Sequence, residues 1–327
     1  MTRRLDALAA AARDWQDPDH PPRQTAAREA VAEGLTTEEA AAFACNQFAH
    51  ACSDEALRAW GAPDAPFLDA VAVRCRGGVP MLGARAFAAA VLAARQVHLD
   101  TDDPLLGHFA DDVAGRAGEG LLLENLADPS AILEAGTEDE LGPEAARVPT
   151  WRQPSAPMHA VLDGDETDEE WIGLAEDLLL HDGRSPRSVR LVWAPEALAP
   201  DDLLDAMAGF RELFPARSDL DGTLQMPRAF LKAAGTPHAW APGFLLSKGD
   251  AEPQAPGHVR WVPYGSLQEL PWQREGGASP LVVASERLAD LLGSAAVLAP
   301  GDAHRPPLGG HAETTDPLGF LLGLALR

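Results

Sequence analysis

The chain of 327 residues is long enough for one large domain or two intertwined ones, and 46% of its residues are hydrophobic. It carries 50 acidic and 26 basic side chains, a formal net charge of −24. Such a surface repels phosphate backbones, which disfavours binding to nucleic acid. The sequence has no uninterrupted apolar run of about 18 residues, so we expect no membrane span.

The N-terminus and the cysteines bear on the cellular compartment. Two arginines open the chain, but no apolar stretch of a secretory signal follows them. The three cysteines, Cys45, Cys52 and Cys75, are odd in number and lack the CxxC spacing, which supports neither a disulfide framework nor a structural zinc site. The ten histidines lack metal-binding spacing, so we expect no metal. These features favour a protein of the reducing cytoplasm.

The acidic excess also suggests an adaptation to salt. Lys232 and Lys248 are the only lysines, whereas arginine and alanine are abundant. This composition resembles that of proteins from salt-adapted bacteria, in which concentrated salt screens the self-repulsion of a negative surface. We interpret the chain as halophilic, the alternative being a merely acidic protein.

Helices and strands alternate through the first half of the sequence. Helices are predicted over 2–16 and 23–60, and the second region is broken near Gly34, where Thr36 and Glu39 match a capping box for a new start. A strand at 71–75, a helix at 84–95 and a strand at 96–99 follow. Two short apolar runs come next, at 121–124 and 131–134.

A second alternating set covers the rest of the chain. Its predicted elements are a strand at 159–162, a helix at 168–181, a strand at 189–192, a helix at 201–214 and a strand at 281–284. Prolines mark the junction between the two sets, at Pro149, Pro154 and Pro157. The alternation predicts an α/β fold with parallel sheets covered by helices.

The stretch from Asp177 to Val192 resembles the nucleophile loop of a known family. In the acyl-CoA reductase family of the aldehyde dehydrogenase superfamily, typified by the fatty acid reductase of bioluminescent bacteria, this turn reads Gly-x-x-Cys-Arg. Gly183 and Arg187 match that pattern, but Pro186 stands at the cysteine position. Proline has no group that can attack an acyl thioester.

Other segments resemble the same family in the same order, over most of the chain. They are 71–83, 96–100, 131–137, 159–171, 243–246 and 316–324. The resemblance implies an aldehyde-dehydrogenase-like α/β fold, with a Rossmann-like cofactor domain and a second α/β catalytic domain with a parallel sheet. On this basis we assign 1–157 to a helical lead-in and the cofactor-binding domain, 158–300 to the catalytic domain, and 301–327 to a C-terminal segment that returns to the cleft or to the first domain.

The resemblance also implies where the catalytic groups of the family would lie. Pro186 takes the nucleophile position, and Gly78 takes the position of an asparagine that helps to hold the developing oxyanion. Neither residue is competent for that role. Loss of one oxyanion donor typically lowers the rate by about 10²–10³-fold, so the glycine alone would cripple turnover without abolishing it.

NAD or NADP is the cofactor that the resemblance implies, and its candidate contacts are Gly77, Val79, Pro80, His98, Asp100, Gly136 and Thr137. His98 replaces a lysine that would contact the ribose or the 2′-phosphate, unless it is a strand residue without a ligand role. Asp100, Asp102 and Asp103 follow it. These carboxylates disfavour a 2′-phosphate but can bond the ribose hydroxyls of NAD. Retention of the cofactor is therefore not implied by these residues.

Several side chains are candidates for a substitute catalytic group, and each also fits a structural role. Ser185 could pair with His181, although no orienting partner is evident. Cys75 is more typical of a small buried side chain, as are Cys45 and Cys52.

The acidic run 163–170 resembles a calcium loop only in part and fits a helix start with a capping box at Thr167 and Glu170. Three tryptophans and the single tyrosine could line an acyl pocket or pack in the ordinary core. They are Trp240, Trp261, Trp272 and Tyr264.

Three interpretations of function follow. The leading one is an acyl-CoA-reductase-like protein whose NAD(P)H-dependent reduction of acyl-CoA to aldehyde is impaired or lost. The second is an active acyl-CoA or aldehyde oxidoreductase that uses another residue. The third is a non-catalytic subunit that binds an acyl-CoA, a nucleotide or a protein partner.

Overall fold

The computed structural model describes residues 3–61, 66–136, 147–153, 158–273, 281–293, 295–309 and 316–325. The chain divides into two compact units, each with its own sheet. Unit 1 comprises 1–155 and 307–327, and unit 2 comprises 156–306. No helix in the described ranges is both long and apolar enough to cross a membrane.

Unit 1 contains helices α1 to α6 and a C-terminal helix. Their bounds are Arg3–Asp14 (α1), Pro21–Ala32 (α2), Glu38–Ala51 (α3), Asp54–Ala59 (α4), Ala84–Ala93 (α5) and Pro104–Ala117 (α6). The predicted capping box at Thr36 is wrong by one residue. Thr37 is the N-cap of α3 and accepts a hydrogen bond from the Ala40 nitrogen, whereas the Thr36 hydroxyl donates to the Thr37 carbonyl oxygen.

The sheet of unit 1 is parallel throughout its described strands, in the order β2-β1-β3-β4. These strands are Leu68–Cys75 (β1), Ala94–Thr101 (β2), Ala131–Ala135 (β3) and Thr150–Arg152 (β4). Cys75 is in register with Thr101 on one side and with Ala135 on the other. The turn after β1, the loop after β2 and Gly136 therefore meet at the carboxyl edge of one sheet, where ligands of such folds bind.

The core of unit 1 joins helices from both ends of the chain. Every residue of α5 except Arg85 is buried, so this helix is enclosed on nearly all sides. Phe109 makes edge-to-face contacts with Trp15, Phe48 and Phe87. Leu318 and Leu321 of the C-terminal helix, Pro317–Ala325, belong to the same core.

Unit 2 is built on seven described strands in the order β11-β10-β5-β6-β9-β8-β7. The strands are Met158–Val161 (β5), Val189–Pro195 (β6), His238–Ala241 (β7), Phe244–Lys248 (β8), His258–Tyr264 (β9), Leu281–Ala284 (β10) and Ala296–Leu298 (β11). All pair in parallel except β7, which is antiparallel to β8 at one edge. Its helices are Asp168–Leu179 (α7), Asp201–Leu213 (α8) and Leu220–Ala234 (α9), and the C-terminal helix of unit 1 is α10.

The observed elements confirm the predicted α/β class with parallel sheets, and they correct the end of one helix. The sequence predicted that the helix before the nucleophile loop reaches His181. Instead α7 ends at Leu179, and a 3₁₀ turn follows from Leu180 to Gly183. The helix stops there because the next residues leave the right-handed region of backbone space.

Candidate active site

The loop that follows α7 has an unusual backbone. His181, Asp182 and Gly183 have φ angles of 54°, 57° and 69°, so three consecutive residues are left-handed. Only the third is glycine, and a non-glycine residue in this region typically costs about 1–2 kcal/mol. Such strain persists only where the surroundings enforce it, and it is concentrated at functional sites. The family resemblance puts the nucleophile loop in this place.

Contacts on both sides of the loop hold its strained conformation. Asp182 forms a 3.1 Å ion pair with Arg211, and its other carboxylate oxygen accepts a 3.2 Å hydrogen bond from the Arg217 nitrogen. A side chain at Gly183 would lie 3.2 Å from the Gly257 nitrogen and from the Leu178 carbonyl oxygen. The turn is therefore closely packed as well as left-handed, which fixes the direction in which the chain enters Ser185 and Pro186.

The residues at the predicted nucleophile position are buried. Pro186 is buried, and the side chain of Ser185 is 5% exposed. The Ser185 hydroxyl accepts a hydrogen bond from the Arg187 nitrogen at 3.1 Å, a local turn contact. The structure records no hydrogen bond between Ser185 and His181, so it does not bring the predicted pair together as nucleophile and base.

His181 lies instead against a second histidine. Its ring meets that of His304 edge-on, with centroids 5.7 Å apart. Burial lowers the pKa of His181 to about 4 and also lowers that of His304. The buried Nδ1 atom of His181 has no hydrogen-bond partner among the described residues. A base of the Ser-His type needs a group that orients its imidazole, and none is present at this nitrogen.

A buried carboxylate at the end of α7 holds the segment that carries His304. The carboxylate of Asp177 accepts hydrogen bonds from the Gly301 nitrogen at 2.7 Å and from the Ala303 nitrogen at 3.1 Å. Asp177 is fully buried, and burial raises its pKa well above the usual range. No local pattern indicates this role, because the partners are backbone groups that lie far along the chain.

None of the three cysteines offers a reactive thiol. Cys45, Cys52 and Cys75 are 2%, 0% and 3% exposed. Burial raises the pKa of Cys45 to about 12 and raises those of Cys52 and Cys75 further. A reactive cysteine needs a lowered pKa and access to solvent, and these residues have neither. Cys75 packs against Gly83, where an added side-chain carbon would lie 1.8 Å from its sulfur.

The turn after β1 places the predicted oxyanion position. Gly77 and Gly78 have φ angles of 120° and 58°, conformations that favour glycine. Gly78 carries no donor side chain, and the next two residues, Val79 and Pro80, are buried. Met81 is also left-handed, and its nitrogen donates to the carboxylate of Asp103 at 2.6 Å. The sequence suggested Asp103 only as one of three carboxylates near the ribose, whereas the structure makes it the N-cap of α6, a role that Asp-Pro at a helix start indicates.

The predicted cofactor residues of β2 have other partners. The His98 Nδ1 atom lies 3.0 Å from the Leu123 carbonyl oxygen, so this nitrogen carries the proton. Asp100 accepts a 2.6 Å hydrogen bond from Arg76, which the sequence reasoning missed although it directly follows the strand. Gly136 is buried at the end of β3, and Thr137 lies outside the described residues.

The remaining candidates have structural roles. Thr167 and Glu170 form the predicted capping box at the start of α7. Trp261, Trp272 and Tyr264 are buried in the core of unit 2. Trp240 is 37% exposed. No group of three or more metal-ligating side chains is arranged around a common point in the described part of the chain.

The sequence matches no protein-family model and no curated protein. Solved structures do match. An NAD-dependent benzaldehyde dehydrogenase from Corynebacterium glutamicum is 13% identical, with a TM-score of 0.65, over 93% of this chain and 83% of that one. The chain has the aldehyde dehydrogenase fold. The match confirms the predicted architecture of a Rossmann-like domain joined to a second α/β domain with a parallel sheet.

Two further structures share the aldehyde dehydrogenase fold with this chain. Apo betaine aldehyde dehydrogenase from Staphylococcus aureus is 12% identical, with a TM-score of 0.66, over 98% of this chain and 81% of that one. An NADP-dependent glyceraldehyde-3-phosphate dehydrogenase from Bacillus halodurans, complexed with NADP, is 12% identical, with a TM-score of 0.64, over 90% and 77%. At such low identities the likeness shows the fold alone.

The aldehyde dehydrogenase fold implies a nicotinamide cofactor, but the starts of α5 and α6, which the structure describes at the carboxyl edge of unit 1, do not fit its phosphates. Phosphates bind where helix N-termini present free N–H groups. At α6 the Leu105 nitrogen already donates to Asp103, and at α5 the fully buried Ala84 donates to the Met81 carbonyl oxygen. Asp100 and Asp102 add negative charge, which disfavours the 2′-phosphate of NADP most of all.

Proposed function

We propose that this protein is a non-catalytic relative of the acyl-CoA reductases, in which the NAD(P)H-dependent reduction of an acyl thioester to an aldehyde has been lost. One observation supports the proposal: the loop after α7 is strained, and the residue at the position that the resemblance assigns to the nucleophile is a buried proline. A thiohemiacetal or acyl-enzyme cannot form on proline, because its side chain has no heteroatom that can attack.

The other positions support the same proposal. Gly78 has no side-chain amide with which to stabilise an oxyanion, and His98 uses its Nδ1 proton on the Leu123 carbonyl. The three changes affect different steps of the reaction: attack, stabilisation of the intermediate and cofactor contact. One change alone could reflect a shift of the sequence alignment by a residue. Three independent changes are expected when selection for the chemistry has ended.

The alternative is an active oxidoreductase that uses another residue as nucleophile. The experiment must be able to detect it. Cys75 lies at the carboxyl edge of the sheet in unit 1, but the residue is 3% exposed and burial raises the pKa of its thiol. Ser185 accepts a local backbone hydrogen bond and has no base within the described contacts. In the proposal, the fold serves binding of an acyl-CoA, a nucleotide or a protein partner.

The test combines turnover with thiol labelling. We expect no NADH or NADPH oxidation above the blank with octanoyl-CoA or palmitoyl-CoA, while an acyl-CoA reductase that retains its cysteine is active in the same assay. We also expect that no thiol of the native protein reacts rapidly with a disulfide reagent, and that all three react after unfolding in urea. A thioester-dependent rate that is lost in Cys75→Ser or Ser185→Ala would overturn the proposal.

Ligand binding is tested separately, by thermal unfolding with NAD, NADPH, CoA or an acyl-CoA present. A ligand that binds only the folded state raises the midpoint, and an excess of about 100-fold over Kd contributes roughly 2.7 kcal/mol. A shift of several degrees with one of these compounds, without turnover, would identify the ligand class that the fold has kept. No shift with any of them would favour a protein partner.

A further inference from the structure

The start of α2 carries a buried arginine without a counter-charge. Arg23 is 5% exposed and lies in the first turn of the helix, which begins at Pro21. An arginine that leaves water is normally paired with a carboxylate, because a buried charge without a partner costs free energy. The chain has 50 acidic side chains for 26 basic ones, yet Arg23 forms no ion pair with any residue that the structure describes. An anion from outside the chain would satisfy its charge.

One edge of the Arg23 guanidinium remains free. Its Nη1 atom donates a 2.6 Å hydrogen bond to the Trp15 carbonyl oxygen. The Nε and Nη2 atoms lie on another edge, with parallel N–H groups, and have no hydrogen-bond partner among the described residues. Neither nitrogen is sealed from solvent in the described part of the chain, in contrast to the unpaired Nη2 atom of Arg85. The free edge is therefore accessible to a ligand.

A second arginine of unit 1 shows what such an edge binds. The Nε and Nη2 atoms of Arg58 hold the two carboxylate oxygens of Asp54 at 2.8 Å and 2.9 Å. Two parallel N–H groups match the two oxygens of a carboxylate, so this contact is stronger and more directional than a single hydrogen bond. The free edge of Arg23 therefore offers the geometry of a carboxylate site.

Arg23 faces an open groove between α2 and α3. The groove has a volume of about 550 Å³, and Arg23, Ala27 and Val31 line it from α2 at a spacing of four residues, which places them on one face of the helix. Ala41 and Ala42 line it from α3. We call the groove that these five residues line the α2–α3 groove. Its size, and its mainly apolar lining with a few polar groups, are typical of a site for a small molecule.

The two ends of the α2–α3 groove differ in charge. Five residues, 33–37, join α2 to α3, so the helices form a hairpin in which the start of α2 lies beside the middle of α3. Cys45 lines the groove at this end, and the charge of Arg23 partly offsets the rise in the pKa of its thiol that burial causes. The exposed Glu38 lines the groove from the start of α3, at the other end. A bound molecule therefore needs its negative charge at the Arg23 end.

The carboxylates near the Arg23 end have other partners. Asp103 also acts on the Cys45 thiol, but its oxygens accept hydrogen bonds from two backbone nitrogens. Asp19 is exposed and accepts a 3.2 Å hydrogen bond from Gln24. The first turn of α2 contains no acidic residue, so the partial positive charge of the helix N-terminus adds to that of Arg23. The local potential favours an anion, although the net charge of the chain is −24.

We propose that the α2–α3 groove binds an aliphatic monocarboxylate. The carboxylate would take two hydrogen bonds from Arg23, and the chain would run past Ala27 and Ala42 towards Val31. Arg23 and Val31 are eight residues apart, about 12 Å along the helix, which suits an acyl chain of medium length such as that of octanoate. The small alanine side chains leave room for an unbranched chain. The proposal does not depend on whether the protein retains catalysis.

Two other anions share part of this chemistry. Phosphate carries up to two charges, whereas the buried guanidinium supplies one. Arg28 is a second cation of the groove, but it is exposed and its hydrogen bonds lie within α2. A peptide C-terminus carries the same carboxylate on a wider, branched body. The experiment includes both anions, so that each can be distinguished from the aliphatic acid.

The experiment is isothermal titration calorimetry of the full-length protein at constant ionic strength. The titrants are octanoate, butyrate, 1-octanol, inorganic phosphate and acetyl-trileucine. We expect saturable binding of octanoate, and each methylene removed between octanoate and butyrate should weaken binding by up to about fourfold. Octanol has the chain without the charge, so it should bind at least about tenfold more weakly than octanoate. Phosphate and acetyl-trileucine should show no saturable binding.

Matched variants separate the contribution of the head group from that of the chain. Arg23→Gln removes the charge, so it should weaken octanoate binding by about tenfold or more and leave octanol binding unchanged. Ala42→Phe fills the groove and should weaken both ligands alike. Arg13→Gln and Ala233→Phe make the same substitutions at exposed positions outside the groove, and both should bind octanoate as the wild type does.

The thermal midpoint of each variant checks its folding. Arg23→Gln also loses the hydrogen bond to the Trp15 carbonyl oxygen, which can lower the midpoint for a reason unrelated to the ligand. Ala42→Phe keeps that hydrogen bond and tests the groove independently.

Several outcomes would overturn the proposal. They are an absence of saturation by octanoate up to about 10 mM, octanol binding as tight as that of octanoate, or equal losses in the groove variants and their controls. Tighter binding of acetyl-trileucine than of octanoate would assign the groove to a peptide C-terminus instead. Tighter binding of phosphate would assign it to a phosphate-bearing ligand.

Discussion

The carboxylate of Asp103 joins Met81 to the start of α6. One oxygen accepts a 2.6 Å hydrogen bond from the Met81 nitrogen, and the other accepts a 3.0 Å bond from the Leu105 nitrogen. Both donors are buried, so Asp103→Ala leaves two N–H groups unsatisfied, and we expect a loss of about 2–4 kcal/mol in the free energy of unfolding. Urea unfolding measures it. The exposed neighbour is the control: a comparable loss in Asp102→Ala would contradict this assignment.

The same residue predicts a pH dependence. Burial raises the pKa of Asp103 to about 6, above its value of about 3.9 in an unfolded chain. The folded state binds this proton more tightly, so the contribution to stability is full below about pH 4 and is lost as the pH rises through 6. Asp103→Asn has no such titration. Its free energy of unfolding should rise relative to wild type between pH 4 and 7, by up to about 3 kcal/mol; a constant difference would refute the shift.

The left-handed backbone at His181 predicts that glycine is more stable than alanine at this position, the reverse of their order inside a helix. His181→Gly and His181→Ala both remove the ring, so their difference isolates the cost of the φ angle of 54°. We expect the glycine variant to be more stable by about 1 kcal/mol. The control is Ala233 on the exposed side of α9, where Ala233→Gly should destabilise by a similar amount. If alanine were also preferred at 181, the loop would not be left-handed in solution.

The contact of Gly83 with Cys75 predicts coupling between two substitutions. A side-chain carbon at Gly83 would lie 1.8 Å from the Cys75 sulfur and 3.3 Å from Leu106. Gly83→Ala should therefore destabilise unit 1 by about 1–3 kcal/mol, as overpacked cores do. Combining it with Cys75→Ala removes the sulfur, and the double variant should lose less than the sum of the single losses. A double-mutant cycle in urea measures the coupling; additive losses would show that the two residues are not in contact.

The net charge of −24 predicts a stability that depends on salt. Close to 1 M salt the screening length falls to about 3 Å, which removes most of the self-repulsion of the folded chain. We expect the thermal midpoint to rise substantially from about 0.1 M to 1 M KCl. Sucrose at the same osmolarity is the control, because it stabilises by exclusion without screening. Equal effects of the two solutes would argue against a halophilic interpretation.

Much of the fold could be predicted because its signals are local. The strand at 71–75 lies inside the observed β1, and β6 begins at Val189 as predicted. These segments are short apolar runs bounded by turn residues. Thr167 and Glu170 also form the capping box that their spacing indicates. Each of these signals is contained within a few residues, so no knowledge of the distant chain is needed to interpret it.

The missed elements are those whose local signals conflict with their surroundings. Helix α9 contains Pro227, and β9 contains Pro263, two residues that normally interrupt helices and strands. For this reason the local pattern predicts no helix or strand over 215–264. The role of Asp177 was invisible for another reason, since its partners Gly301 and Ala303 are backbone groups far away in the sequence. Tertiary packing decided these features.

Unit 1 is built from two separate stretches of the chain. This affects the order in which the two units can fold. Leu318 and Leu321 complete the core of unit 1, and Asp316 accepts a 2.8 Å hydrogen bond from the Trp60 indole. Unit 2 is continuous from 156 to 306. During synthesis the ribosome finishes all of unit 2 before it makes α10. Unit 2 can thus fold while the chain is still growing, whereas the apolar face that awaits α10 stays open until the final turns of helix emerge.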